Sequence, residues 1–503
     1  MENISRRNIA YLIIFSVIVM LFSSIIVNRY SFKGHPASGD EASLWFQTEL
    51  FKEGKLWNRS LDKSVMGLFK RHHVVTTEER EYSKYPPGPA LLFAMIPGDY
   101  NGFIANTLLN CIIYTAGILI LLELGFPFFM LLVYSAFFIF SAMITFNGAS
   151  WFSHPGAAAL TAISLLFLIK GEKNSKHLWY LLSGFMTGMS IFMRPFDAAL
   201  LLGAVLLYYL IEFLSSFNKF GEIFRKLSFI FLGILPFFIL FLIYQKIYTG
   251  SFFRSPYSLY VFSSDLRTGE KIGEITLTPL HYFKYGLGGL TPLWLKNMMR
   301  WTNPLVVPAA IIAVPFFFKF RQKETFHRLF VLVPLMFILG YALHNAPGGD
   351  SYGPRYYYPA MVCWFILASY PVCFLIKKYL PGETAQAVVI FIIATSTAGM
   401  AIHKHFAVAD NIKDRFNIFT YCEKRLPDEK ALIFVNNAKT FDPAFYIRHR
   451  PDLSDRIIYI RRPVNSGQLS TVMNLFPDRT VYDYNYHKST GRQTLKKVEP
   501  EVR

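Results

Sequence analysis

The sequence predicts an all-α polytopic membrane protein of about 11 transmembrane helices, with a first-loop interfacial helix and a small C-terminal α/β extracytoplasmic domain. Three observations predict it. Of 503 residues, 53% are hydrophobic and only 17% charged, whereas a soluble chain carries about 25% charged residues. Mean hydropathy is +0.32. Apolar runs close to membrane-spanning length recur at 9–27, 101–122, 127–146, 155–170, 178–193, 196–213, 227–248, 302–318, 328–343, 357–376 and 384–402. Lysine and arginine fall mainly between those runs and in the tail. The net charge of +18 is therefore membrane topology and not a nucleic-acid-binding stripe.

The first run, Ile9 to Val27, follows Arg6 and Arg7. It is too long for a signal-peptide core, and no small-residue cleavage site follows, so it reads as an uncleaved spanning anchor. With its N-terminus in the cytoplasm, the inner connections are "KGEKNSKH", "SSFNKFGEIFRK", "KFRQKETFHR" and "KKYLPGET". All are short and basic, as the positive-inside rule requires. The outer segments are then 28–100, 147–154, 249–301, 344–356 and the tail, and the chain sits in the cell's inner (plasma) membrane with its C-terminus outside.

The first outer loop opens on "HPASGDEASLWF", His35 to Phe46. Ser38 with Glu41 three residues on fits a capping box, and Leu44, Trp45, Thr48 and Phe51 continue a helical stripe. An interfacial helix is expected from about Asp40 to Lys52. Asp40 and Glu41 suit the start of a helix dipole; they are also the candidate catalytic acids. The loop closes on "YSKYPPGPALLFAMIP", where Lys84 and Tyr85 precede a Pro-Pro turn and are candidates for holding a phosphate. Snorkelling at the bilayer surface is the alternative.

Two later outer positions add ionisable groups at span ends. "SWFSHPG" places His154 there, and "FMRPFDAALL" places Arg194 beside Asp197, with which it can simply pair. In "NAPGGDSYGPRYYYP", glycines and prolines frame Arg355, a side chain suited to bidentate phosphate recognition, or to anchoring in an aromatic belt. The outer loop 249–301 is polar and Gly-bearing, a lid candidate.

Residues 403–490 change character. "ALIFVNN" and "RIIYIRR" are strand-like, "GQLSTVMNLF" suits a helix, and "PDRTVYDYNY" a further strand. Residues 491–503 read as a disordered tail. The four cysteines, Cys111, Cys363, Cys373 and Cys422, contain no CxxC, so neither a zinc cluster nor a disulfide frame is expected. There is no Walker motif and no GxGxxG.

All the candidate groups fall on one face at membrane level: a carboxylate to take a proton and cations to stabilise a leaving phosphate. In order and placement, "GDE" after the first span, "KYPPGPALL" at the end of the first loop, "TGSFFRSPYSLY" after the seventh span and "SYGPRYYYP" late in the chain resemble the GT-C-type membrane glycosyltransferases. The likeness is to the bacterial relatives of protein O-mannosyltransferases and lipid A aminoarabinose transferases, and it covers roughly residues 1–400. The resemblance implies a GT-C-like domain over 1–402 and a polyprenyl-phosphate (undecaprenyl-phosphate) sugar donor. It implies transfer to an acceptor hydroxyl of a protein, lipid or glycan on the extracytoplasmic side, with inversion. It maps the base onto Asp40, with Glu41 beside it, and phosphate contacts onto Lys84, Tyr85 and Arg355, to which the reading adds His154 and Arg194. No certain cofactor follows; a divalent metal stays open because the second outer loop carries His154 where relatives have an acid. The rival functions are a lipid-linked sugar flippase and a polysaccharide polymerase or ligase. A transporter needs ionisable groups at mid-span, and this chain crowds them at the outer ends.

Overall fold

The computed structural model describes residues 5–69, 71–99, 101–260, 284–319, 325–343, 351–380, 382–436, 449–487 and 489–498. Among them, eight helices are long and apolar enough to cross a membrane: Arg6–Phe32, Asn101–Glu123, His154–Asn174, Pro195–Ser215, Phe217–Thr249, Thr325–Ala342, Arg355–Tyr379 and Glu383–Ile412. Two bent pairs raise the number to ten: Phe128–Ile139 with Ala142–Gly148, bent by 58°, and Gly286–Trp301 with Val306–Phe318, bent by 111°. The chain is a multi-pass membrane protein.

The expected count of about 11 differs for a definite reason. The run 178–193 does form a helix, His177–Met193, but with 17 residues it is only about 25 Å long, short of a bilayer's roughly 30 Å apolar core. It packs closely on Phe220–Thr249 through bare backbone. A Cβ on Gly184 would lie 2.0 Å from the Ile230 carbonyl oxygen, and one on Gly233 would lie 2.3 Å from that of Leu181. Small residues at such crossings let apolar helices approach without a hydrophobic driving force.

The first loop, between the first two spans, folds into a helix, a small sheet and a second short helix. Its helix, Gly39–Lys52, is buried on most of its circumference. The capping box forms: Ser38 Oγ accepts from the Glu41 N–H at 3.3 Å, and Glu41 Oε2 accepts from Ser38 Oγ at 2.9 Å and from the Ala37 N–H at 3.1 Å. A three-stranded antiparallel sheet follows, with Arg80–Ser83 between Asn58–Arg59 and Val74–Thr76. After Pro86 and Pro87 the chain turns into the short helix Gly88–Ala94.

The last span does not stop near residue 402. Helix Glu383–Arg425 runs for 43 residues, about 65 Å, and leads directly into the tail. There Ala431–Val435 is flanked by Ile457–Arg461 and Thr480–His487, all parallel, with helix Ser466–Leu475 between the latter two. Arg492–Lys497 adds an antiparallel edge strand to Thr480–His487. Part of the stretch read as disordered is therefore held by sheet hydrogen bonds. The tail is docked on the first loop: Val65 and Leu68 of the loop share an apolar core with Leu432, Phe434, Ile458 and Val472. Arg71 caps that junction, pairing with Glu81 at 2.7 Å and donating to the carbonyls of Arg450 and Pro451.

Candidate active site

Helix ends from across the chain converge beneath the first loop around a cavity of about 1390 Å³. Asp40, Lys84, Tyr85, His154, Arg194 and Arg355 all line it. One wall is apolar, with Met193, Phe196, Phe241, Tyr244 and Pro256. Another carries Trp301, Tyr352, Val408 and Ile412.

Asp40 stands in the first turn of its helix, where the free backbone N–H groups favour a negative charge. Its Oδ2 pairs with Arg355 Nη2 at 2.7 Å. Its Oδ1 accepts from the Tyr85 hydroxyl and lies 3.0 Å from His73 Nε2. Burial opposes ionisation, but the Arg355 guanidinium, His73 and Tyr85 together hold the carboxyl well below the usual carboxylate range. Burial, with the Asp40 charge behind it, raises the Tyr85 phenol and keeps it a donor.

Glu41 faces the other way. Both of its oxygens are engaged, Oε2 in the capping box and Oε1 by the Trp151 N–H at 3.0 Å. Burial lifts its carboxyl to about 7 against those three hydrogen bonds. Its partners are those of a helix start and an inter-loop clamp.

The cations differ in how far they are already satisfied. Arg355 is 6% exposed, and its Nε and Nη1 meet no hydrogen-bond partner among the described residues. Its guanidinium lies over the Phe152 ring at 4.4 Å. His154 is 3% exposed and both of its ring nitrogens are likewise without a hydrogen-bond partner. Lys84 is held by ring faces: its Nζ lies 4.5 Å from the Tyr257 ring, 4.6 Å from Tyr260 and 5.1 Å from Tyr85. Burial brings its ammonium down to about 8, against the pull of Asp40. Arg194 is the satisfied one. It binds Asp197 at 2.5 Å, the Tyr341 hydroxyl at 2.9 Å and Ser153 Oγ at 3.4 Å. The simple Arg194–Asp197 pair is what the fold builds.

Buried polar groups are usually hydrogen-bonded, and in this cavity Arg355 and His154 carry polar atoms that lack such partners among the described residues. The Asp40 oxygens already face a guanidinium, a phenol and an imidazole, and no group of three or more His, Cys, Asp or Glu side chains among the described residues could hold an ion.

Sequence reasoning missed His73. The signal was the hairpin: Val74 pairs with Ser83, and the Lys84 N–H donates to the His73 carbonyl at 3.0 Å. That register sets His73 across from Lys84 and Tyr85. Tyr257 and Tyr260 were also missed; they lie at the start of the lid candidate, whose residues 261–283 fall outside the described ones, as do 344–350 ahead of Arg355.

No protein-family model matches this chain, and none of the curated proteins does. Solved structures do. ArnT from Cupriavidus metallidurans in the apo state aligns with TM-score 0.52 and 10% identity, over 96% of this chain and 99% of that one. The same protein bound to undecaprenyl phosphate aligns with TM-score 0.51 and 12% identity, over 93% and 89%. The Archaeoglobus fulgidus oligosaccharyltransferase tethered with an acceptor peptide gives TM-score 0.51 and 10% identity, over 97% of this chain and 75% of that one. The spans and the near-complete overlap together establish that this chain has the GT-C fold of membrane glycosyltransferases.

Proposed function

We propose that the protein transfers a sugar from a polyprenyl-phosphate donor to an acceptor hydroxyl at the extracytoplasmic face of the inner membrane. The observation that carries this reading is one cavity holding a carboxylate, a buried guanidinium with two nitrogens unmatched, and a buried imidazole with no hydrogen-bond partner among the described residues. A phosphate diester supplies the oxygens those donors lack, and the apolar wall of Phe196, Phe241 and Tyr244 suits its lipid tail. The bound undecaprenyl phosphate in the related fold belongs to ArnT; here it motivates the choice of donor.

In the proposed reaction the donor phosphate enters among Arg355, Lys84 and His154 and draws Arg355 away from Asp40. Oδ2 is then free, while Oδ1 stays held by Tyr85. The acceptor hydroxyl gives its proton to Oδ2 as its oxygen bonds the anomeric carbon from the face opposite the phosphate. The carbon–oxygen bond to phosphate breaks, its electron pair leaves on the phosphate oxygen, and the configuration inverts. The growing charge on the lipid monophosphate is met by these fixed donors. Glu41 holds the helix start that aims Asp40. Arg194, tied to Asp197, braces the wall.

Purified protein given a labelled lipid-linked sugar should release free polyprenyl phosphate together with a glycosylated acceptor. A flippase would leave the donor intact, and that outcome would end this reading. A polymerase or ligase working from a late loop would keep its activity when Asp40 is replaced.

A further inference from the structure

We propose that His73 is a positioning residue for the Asp40 carboxylate, an inference that takes its chemistry from the glycosyltransfer reading above. A carboxylate only accepts hydrogen bonds, so the 3.0 Å contact with Oδ1 assigns the proton to Nε2 of His73. Nδ1, on the far side of the ring, is buried without a hydrogen-bond partner among the described residues. His73 and Tyr85 both hold Oδ1, whereas Arg355 alone holds Oδ2. This asymmetry decides which oxygen works. When phosphate takes Arg355, the two remaining bonds keep the carboxylate plane fixed and present Oδ2 to the acceptor. Without His73 the carboxylate would pivot on Tyr85 alone.

The backbone is built to hold the imidazole there. His73 adopts φ +61°, the left-handed region that few side chains enter, histidine among the more tolerant. Its carbonyl accepts from Ser43 Oγ at 2.7 Å and from the Lys84 N–H at 3.0 Å. Ser43 lies one helical turn beyond Asp40 and also bonds Ser83 Oγ at 2.7 Å, so helix and hairpin are locked together beside the carboxylate. Gly39 completes the arrangement. A Cβ there would come 2.9 Å from His72 Cβ and 3.3 Å from His73 Cδ2, so only glycine lets the hairpin sit this close to the helix start. The ionisable groups facing the pair are Lys84, Tyr85, Arg355, His72 and Tyr260.

The test uses the full chain in lipid nanodiscs with a labelled polyprenyl-phosphate sugar, comparing wild type with His73→Ala, His73→Gln and Gly39→Ala. His73→Ala should lower kcat by about 10- to 100-fold, the usual size for removing the partner that orients a reactive group, with donor KM little changed. The acid limb of its pH profile should move upward, because a bond that favours the Asp40 anion is gone. His73→Gln, which keeps an N–H donor, should recover most of both. Gly39→Ala should copy His73→Ala, because the hairpin must move off the helix start to make room for the methyl group. Unchanged kcat or an unmoved acid limb in His73→Ala would overturn the proposal. So would a loss of activity that comes only with lost stability and donor binding. ¹⁵N spectra of His73 provide an arm independent of turnover: an Nε2 without a proton refutes the pairing whatever the reaction is. An Nε2–H signal with no lipid phosphate released would uphold the pairing and refute glycosyl transfer alone.

Discussion

Replacing Asp40 with Asn should separate donor binding from turnover in opposite directions. In the resting protein, Arg355 Nη2 is 2.7 Å from Asp40 Oδ2, with side-chain exposures of 7% and 20%. In the proposed reaction a donor phosphate takes the guanidinium from that partner. A buried hydrogen bond between charged groups contributes about 1.5–3 kcal/mol net. Asparagine is nearly isosteric and keeps an oxygen for Tyr85 and His73, but it carries no charge to compete with phosphate. Polyprenyl phosphate should therefore bind Asp40→Asn more tightly, by up to about 10- to 150-fold. Turnover should fall by about 10²- to 10⁴-fold, the usual contribution of a positioned general base. Titration calorimetry with polyprenyl phosphate in nanodiscs gives the first quantity, and release of labelled lipid phosphate gives the second. If Asp40→Asn kept wild-type kcat, Asp40 would not be the base. If it bound polyprenyl phosphate more weakly, Arg355 would not be shared between the carboxylate and the donor.

Other changes probe the neighbouring groups. Burial sets the Lys84 ammonium at about 8, so it is charged below that pH and neutral above it. The kcat/KM for donor should fall as pH rises through about 8, and Lys84→Arg should carry that limb beyond the measurable range; a limb that stays in Lys84→Arg assigns it to another group. Glu41→Ala leaves the N–H groups of Ala37 and Trp151 and the Ser38 hydroxyl without their acceptor. At about 1–3 kcal/mol for each of these three buried orphans, a loss of about 3–9 kcal/mol is expected, read as a lowered unfolding temperature; an active, equally stable variant would show that the clamp carries little. Arg71→Ala strands Glu81, which is 5% exposed, and frees the tail from the first loop. Limited proteolysis near Arg450 and Pro451 should then accelerate several-fold, and no change would place the tail's anchorage in the apolar core around Val65 and Leu68.

Much of this was legible in the sequence because it depends on near neighbours in the chain. The helix Gly39–Lys52 begins within one residue of the expected start because a serine and a glutamate three apart satisfy each other whatever surrounds them. The strands Ala431–Val435 and Ile457–Arg461 arise inside the two β-branched runs read as strands. The candidates Asp40, Lys84, Tyr85, His154 and Arg355 were visible as ionisable residues at the ends of apolar runs, and they do line one cavity. Less visible were features fixed by packing. The 111° bend between Gly286–Trp301 and Val306–Phe318 lies inside what reads as one loop followed by one span.

By itself, the sequence determined that lipid is the solvent, where most helices start and stop, and on which face the charged groups gather. These follow from apolar run length, capping and the cost of burying charge. The tertiary structure decided which of those charges are spent and which are free. It tied Arg194 to Asp197 and Glu41 to Trp151, left Arg355 and His154 with polar atoms unmatched among the described residues, and brought His73 to Asp40 across 32 residues of intervening chain. The reason is physical. A side chain's type fixes what it can bond, but only the packed arrangement of distant segments fixes what lies within 3 Å of it.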